Sequence, residues 1–142
     1  MQRRYIAAVL ILLSISGCSS GPPKLRLANG ALPGGTAQVT VDGNGSGLIR
    51  DVECASIGKG LTNITIGRPD AQIRVLLDAD TPKAIAFNDV EGFTGGYWQG
   101  LQGTVRLDMV NQTYTITGSA VGFKAEDPHT RTANGFALDV AC

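Results

Sequence analysis

The stretch Ile73-Arg74-Val75-Leu76-Leu77 sets an apolar side chain at every second position and runs directly into Asp78-Ala79-Asp80-Thr81-Pro82, a cluster of turn formers. Alternation with period two sends one row of side chains to a core and the other to water, the pattern of a half-buried β-strand. The turn formers that follow read as a hairpin. The same pattern recurs outward in both directions. Ile64 and Ile66 flank Thr65, and Val39 and Val41 flank Thr40. Downstream, Val105, Leu107 and Met109 form one row, Tyr114 and Ile116 another, and Phe136, Leu138 and Val140 a third. Breaks rich in Gly, Asn or Asp fall at 42–47, 58–60, 67–70, 78–82, 89–92, 95–96 and 111–112, at strand-length intervals. This spacing predicts an all-β domain over residues 37–142, a single antiparallel β-sandwich or a partly closed barrel. No amphipathic helix of more than two turns is evident; Gly122 to Arg131 or the segment around Asp80 to Ala86 has room for a short turn at most, and no internal repeat is evident.

The 142 residues leave room for one modest core and no second domain. Nineteen glycines and the lack of clustered helix formers agree with strands and turns. Twelve Lys and Arg balance twelve Asp and Glu. Two of the cations, Arg3 and Arg4, lie at the extreme N-terminus; without them ten basic groups face twelve acidic ones. No basic surplus remains to neutralise phosphates, which argues against a nucleic-acid partner.

The N-terminus carries an address. Met1 to Arg4 is short and basic, Ile6 to Leu13 is unbroken apolar sequence, and Ser14-Ile15-Ser16-Gly17-Cys18 follows. These are the three regions of a secretory signal. The apolar run is far shorter than the roughly 20 residues a bilayer core requires. Ile15-Ser16-Gly17-Cys18 further matches the bacterial lipobox, in which small residues fit a protease cleft and the Cys thiol takes a diacylglyceryl group. Residues 1–17 are therefore expected to be a lipoprotein signal peptide, and residues 18–36 an acylated N-terminus and flexible tether. Two or more acyl chains on Cys18 anchor a protein stably where one anchors it marginally. The tether, with Pro and Gly at both ends, would span on the order of 20–25 Å. This places the chain on the outer face of the cell membrane, with the membrane itself as a partner.

With Cys18 acylated, Cys54 and Cys142 are left as an even pair in an oxidising compartment, and a disulfide between them is expected. Cys142 shares a face with Phe136, Leu138 and Val140, and Cys54 shares one with Val52, so both sulfurs lie on core-facing rows.

Several residues suggest chemistry and lose it on inspection. Asp42, Asn44, Ser46, Gly47 and Glu53 fall at positions one, three, five, six and twelve of a calcium-binding loop. That loop needs flanking helices, whereas strand patterns flank it here, and Arg50 brings a cation to position nine; a hairpin turn accounts for the same residues. No metal site is assigned. His129 is the only histidine. A Ser-His-Asp arrangement would require it beside Ser46, Ser56 or Ser119, while its neighbours Glu126, Asp127 and Pro128 read as a solvated turn, so no catalytic residue is assigned. Asp78-Ala79-Asp80 reads as a turn, and Gly58-Lys59-Gly60 lacks phosphate-loop spacing. The adjacent pair Tyr97-Trp98 is the candidate ligand contact. Neighbours on a strand face opposite ways, so one of the two is exposed and able to stack on a sugar or a lipid; packing of Trp98 into the core with Tyr97 at an edge is the expected arrangement.

Across nearly the whole chain, the lipobox, Val39-Thr40-Val41-Asp42-Gly43, Val52-Glu53-Cys54, Leu61-Thr62-Asn63-Ile64-Thr65-Ile66-Gly67, Tyr114 to Gly122 and the closing Phe136 to Cys142 resemble the mycobacterial LpqH-like lipoprotein antigen family. The resemblance implies a surface-exposed, acylated, non-enzymatic antigen without cofactors, whose lipidated N-terminus is sensed by host innate immune receptors. It carries over Cys18, Cys54 and Cys142 and nothing catalytic. The alternative is an envelope carrier with a small lipid, glycan or ion held in a cavity of the β-domain.

Overall fold

The computed structural model describes residues 31–142, and within them every regular element is a strand. The strands are β1 (Thr36–Val41), β2 (Leu48–Ile49), β3 (Val52–Gly58), β4 (Leu61–Arg68), β5 (Ala71–Asp78), β6 (Thr81–Val90), β7 (Phe93–Trp98), β8 (Thr104–Val110), β9 (Thr113–Lys124) and β10 (Asp127–Ala141). All pairings are antiparallel, in the order β2-β1-β10-β9-β7-β6-β5-β4-β3, with β8 on β9 beside this path. Of the two expected architectures, the nearly closed barrel is the one adopted.

Closure comes from one short piece of chain. β2 and β3 are separated only by Arg50 and Asp51, yet β2 pairs with β1 and β3 pairs with β4. A run that reads as a single strand from Leu48 to Cys54 therefore changes partner midway and joins the two ends of the sheet. Gly67 N donates to Asp51 O at the crossing, 2.8 Å away. This arrangement covers β4 with β3 and the Ala37-Gln38 part of β1 with β2, leaving less open edge than a flat sheet would.

The alternating rows named by the sequence fill the interior. Ile64, Ile66, Ile73, Val75, Leu77 and Ile85 come from β4 to β6, and Ile116, Leu138 and Val140 close the opposite wall; all are almost fully buried. Phe87 sits among them, tilted against Phe93 at 5.6 Å and Phe136 at 5.2 Å between ring centroids. Tilted aromatic contacts at these separations add to simple burial.

Two expectations fail for identifiable reasons. Gly95-Gly96 reads as a break but lies inside β7, paired with β6 on one side and β9 on the other. A side chain at Gly95 would meet Val121 O at 2.4 Å, and one at Gly96 would meet Ile85 O at 2.6 Å. These glycines permit close backbone approach; they do not make a turn. Met109 was grouped with Val105 and Leu107 as core, and it is 51% exposed. Val105 and Leu107 are half-buried against the core, whereas β8 pairs with β9 alone among the described strands and its last residues, Met109 and Val110, stand partly exposed.

The expected tight turns are present. Asp42-Gly43, Lys59-Gly60, Glu91-Gly92 and Asn111-Gln112 each place two consecutive residues at positive φ, as type I′ hairpin turns require. The last lacks a glycine, and Gln112 sits at φ 66°. An L-residue pays about 1–2 kcal/mol for that conformation, partly offset by the greater unfolded-state entropy of glycine. Gln112→Gly is therefore expected to raise the unfolding free energy by about 0.5–1 kcal/mol, read as a higher urea midpoint at unchanged slope.

Candidate functional site

Of the residues singled out from the sequence, Cys18 lies outside the described residues. Cys54 and Cys142 are joined in a disulfide, with 5.8 Å between their Cα atoms and 88 residues between them in sequence. Cys54 is on β3 opposite Ile64 and packs against the core, while Cys142 immediately follows β10. Since β3 and the β1-β10 pair lie on opposite sides of the closing crossing, the bond fastens the barrel at its seam.

Tyr97 and Trp98 do face opposite ways, in the reverse of the expected sense. Tyr97 is 6% exposed and its hydroxyl lies 3.5 Å from Pro82 O, whereas Trp98 is 54% exposed. The parity of β7 follows from Phe93, which is buried, so 93, 95 and 97 point inward and 94, 96 and 98 outward. Two adjacent aromatics give no sign of this parity by themselves. Trp98 opens a compact turn in which Leu101 N and Gln102 N both donate to Trp98 O, at 3.0 and 3.1 Å, and Leu101 at its tip is exposed.

Gln102 fixes that turn to the barrel. Its Nε2 donates to Gly96 O at 2.9 Å and reaches Val121 O at 3.4 Å, while its Oε1 accepts from Arg131 at 2.8 Å. Beside it is an open groove of about 370 Å³ on the outer surface, floored by Gly95 and Gly122 and lined by Thr94, Phe123, His129 and Arg131. Phe123 presents an exposed aromatic ring, and Arg131 makes no ion pair among the described residues. An aromatic face beside planar hydrogen-bonding groups suits a small polar ligand with an apolar side. The sequence reading did not name this groove. Its one local signal was Phe123 on the outward row of a strand pattern, and the groove forms only because β7, β9 and β10 meet there.

The other candidates resolve into structural roles. Asp42 Oδ1 accepts from Gly135 N at 3.0 Å and Oδ2 pairs with Lys124 Nζ at 2.8 Å, so both carboxylate oxygens secure the turn to β9 and β10. Val41 and Asn44 exchange backbone hydrogen bonds across that turn. Ala79 at φ 49° makes the turn between β5 and β6, and Asp78 lies 3.8 Å from Lys83. His129 is exposed on the first part of β10, and no serine lines its groove. Among the described residues no three His, Cys, Asp or Glu side chains gather as a metal site. No helix among them is long and apolar enough to cross a membrane.

Fold and surface together define a small antiparallel β-barrel domain with a filled interior and a disulfide at its seam. Comparison with known proteins then supplies the lineage. The family described as Mycobacterium 19 kDa lipoprotein antigen matches residues 30–142, and the chain belongs to that family. A lipoprotein of Mycobacterium avium subsp. hominissuis is 31% identical over the whole of this chain and 97% of its own length. LpqH of Mycobacterium bovis is 31% identical, and the lipoprotein LppE of Mycobacterium tuberculosis 29% identical; in each case the match covers 95% of this chain and 92% of the other. Membership in a lipoprotein family implies lipid-anchored association with a membrane.

Proposed function

We propose that this chain is an exported lipoprotein, cut before Cys18, acylated on that residue and displayed on the outer face of the cell membrane without catalytic activity. The observation that carries the reading is the lipobox Ile15-Ser16-Gly17-Cys18 at the head of a chain that belongs to a lipoprotein antigen family. The domain boundaries expected from the sequence, a leader over 1–17, an acylated tether over 18–36 and the β-domain from 37, are part of this proposal. Its action is display: the acylated N-terminus engages host innate receptors, and the barrel serves as a stable head with adhesive potential. Support for a role without catalysis comes from the single histidine, exposed in a groove that no serine lines, and from the family's description as an antigen.

Mass spectrometry and detergent phase partition of the protein from its own host test this. The mature chain is expected to begin at Cys18, to carry the mass of two or three acyl chains and to enter the detergent phase. Cys18→Ser should abolish both the acyl mass and cleavage before residue 18, because the thiol that takes the lipid is gone. Native material that retains its leader, or that has an unmodified Cys18, would overturn the assignment.

A second reading, an envelope carrier for a small lipid or glycan, draws support from the groove at Phe123 and Arg131. The barrel interior, where this alternative would put its cavity, is occupied by the packed rows of Ile, Val, Leu and Phe. A carrier role would therefore use the outer surface.

A further inference from the structure

β8 lies beside the closed path of the barrel. Its seven residues pair in unbroken register with β9, and no described strand pairs with its opposite edge. Proteins commonly protect such an edge with a proline, a bulge or an inward-pointing charge. Thr104-Val105-Arg106-Leu107-Asp108-Met109-Val110 has none of these. Its two charges lie on the exposed row and neutralise each other, Arg106 Nε to Asp108 Oδ2 at 2.9 Å. Met109 and Val110, at the end of the strand, are 51% and 38% exposed.

The order of residues on this edge is symmetric about Leu107. We infer that β8 is a self-association edge, on which a second copy of this chain adds its own β8 antiparallel about a two-fold axis at Leu107. In that register Arg106 stands opposite Asp108 of the second copy, and the symmetry axis repeats the pair. Val105 stands opposite Met109 twice, and Leu107 meets itself. Directly opposed residues of antiparallel strands lie on the same face. The ion pairs thus share the solvent side and the apolar pairs the core side, matching the exposed and half-buried rows of β8. Charge complementarity therefore selects a copy of the same strand as the occupant. Association along one seven-residue edge is weak in dilute solution, and anchoring of both copies to one membrane raises their effective concentration. The inference stands whether or not the anchor is the one proposed above, since it rests only on β8.

Covalent capture in the full chain, oxidised on the membranes of its own host before solubilisation, tests the register. Directly opposed residues have Cα atoms about 4.5–5.5 Å apart, within disulfide reach. Leu107→Cys under mild oxidation is therefore expected to give a dimer on a non-reducing gel. Thr104→Cys should not, because its symmetry mate would lie about 20 Å away along the strand. On the Leu107→Cys background, Arg106→Asp or Asp108→Arg alone places like charges opposite each other twice. Each is expected to weaken capture roughly 10- to 100-fold. Arg106→Asp with Asp108→Arg should restore it, and circular dichroism checks that every variant retains its strands. Absence of a Leu107→Cys dimer, as when another segment or partner covers the edge, would overturn the inference. So would equal capture through Thr104→Cys, or single charge reversals without effect.

Discussion

Reduction of the Cys54–Cys142 disulfide is expected to lower the thermal midpoint of this domain by about 10–20 °C, the equivalent of about 2–5 kcal/mol. The bond spans 88 residues, nearly all of the folded part, so breaking it returns a large closed loop to the unfolded chain. Chain-entropy arguments place the loss for a loop of this length near 4–5 kcal/mol, and a domain of this size has only about 5–15 kcal/mol in total. The native state also loses something local, because the bond holds β3 to the end of β10 beside the point where β2 and β3 exchange partners. Opening should therefore begin at the seam. Hydrogen exchange on the reduced protein is expected to show Val52–Gly58 losing protection before β5 and β6. A calorimetric scan of Cys54→Ser/Cys142→Ser with the midpoint of the oxidised protein would contradict the argument, and uniform loss of protection would contradict its local part.

Phe87→Ala is expected to cost about 3–5 kcal/mol, enough to leave a substantial unfolded fraction at 37 °C. Phe87 is 2% exposed and touches the two other buried phenylalanines, Phe93 and Phe136, which come from separate parts of the sheet. Removal of its ring leaves a void between strands whose backbones are held by continuous pairing, so collapse around it is limited. Trp98→Ala makes the comparison sharp. The indole is larger but 54% exposed, so its truncation should cost less than about 1 kcal/mol. Urea midpoints of the two variants side by side decide the matter; a Trp98→Ala loss equal to that of Phe87→Ala would mean that the inward parity of β7 is wrong. Loss of binding without loss of stability in Trp98→Ala would instead mark that side chain as a ligand contact.

These predictions draw unequally on what was visible beforehand. Rows such as Ile73, Val75 and Leu77 were legible because strand periodicity is local: each residue's side is set by its neighbour's. Turns at Asp42-Gly43 and Asn111-Gln112 were legible because their backbone needs positive φ, which Asp42, Gly43 and Asn111 accept readily. The pairing of Cys54 with Cys142 was legible by counting. Gly95-Gly96 was misread because Gly95 makes room for Val121 and Gly122 and Gly96 for Ile85, residues of neighbouring strands that the local pattern does not name. Trp98 was misread because the sides of two adjacent aromatics depend on which of them continues the row of Phe93.

The amino-acid order alone determined that the domain is all-β, where most of its turns lie, which residues make its core rows and that its N-terminus carries a lipobox. Each of these depends on short-range periodicity, local backbone preference or a contiguous motif. Tertiary structure decided that the sheet nearly closes, that Leu48 to Gly58 joins both of its ends, that Trp98 and Phe123 face outward and that β8, among the described strands, pairs with β9 alone. Those properties arise from contacts between residues far apart in the chain, and a one-dimensional pattern does not specify which distant strands meet.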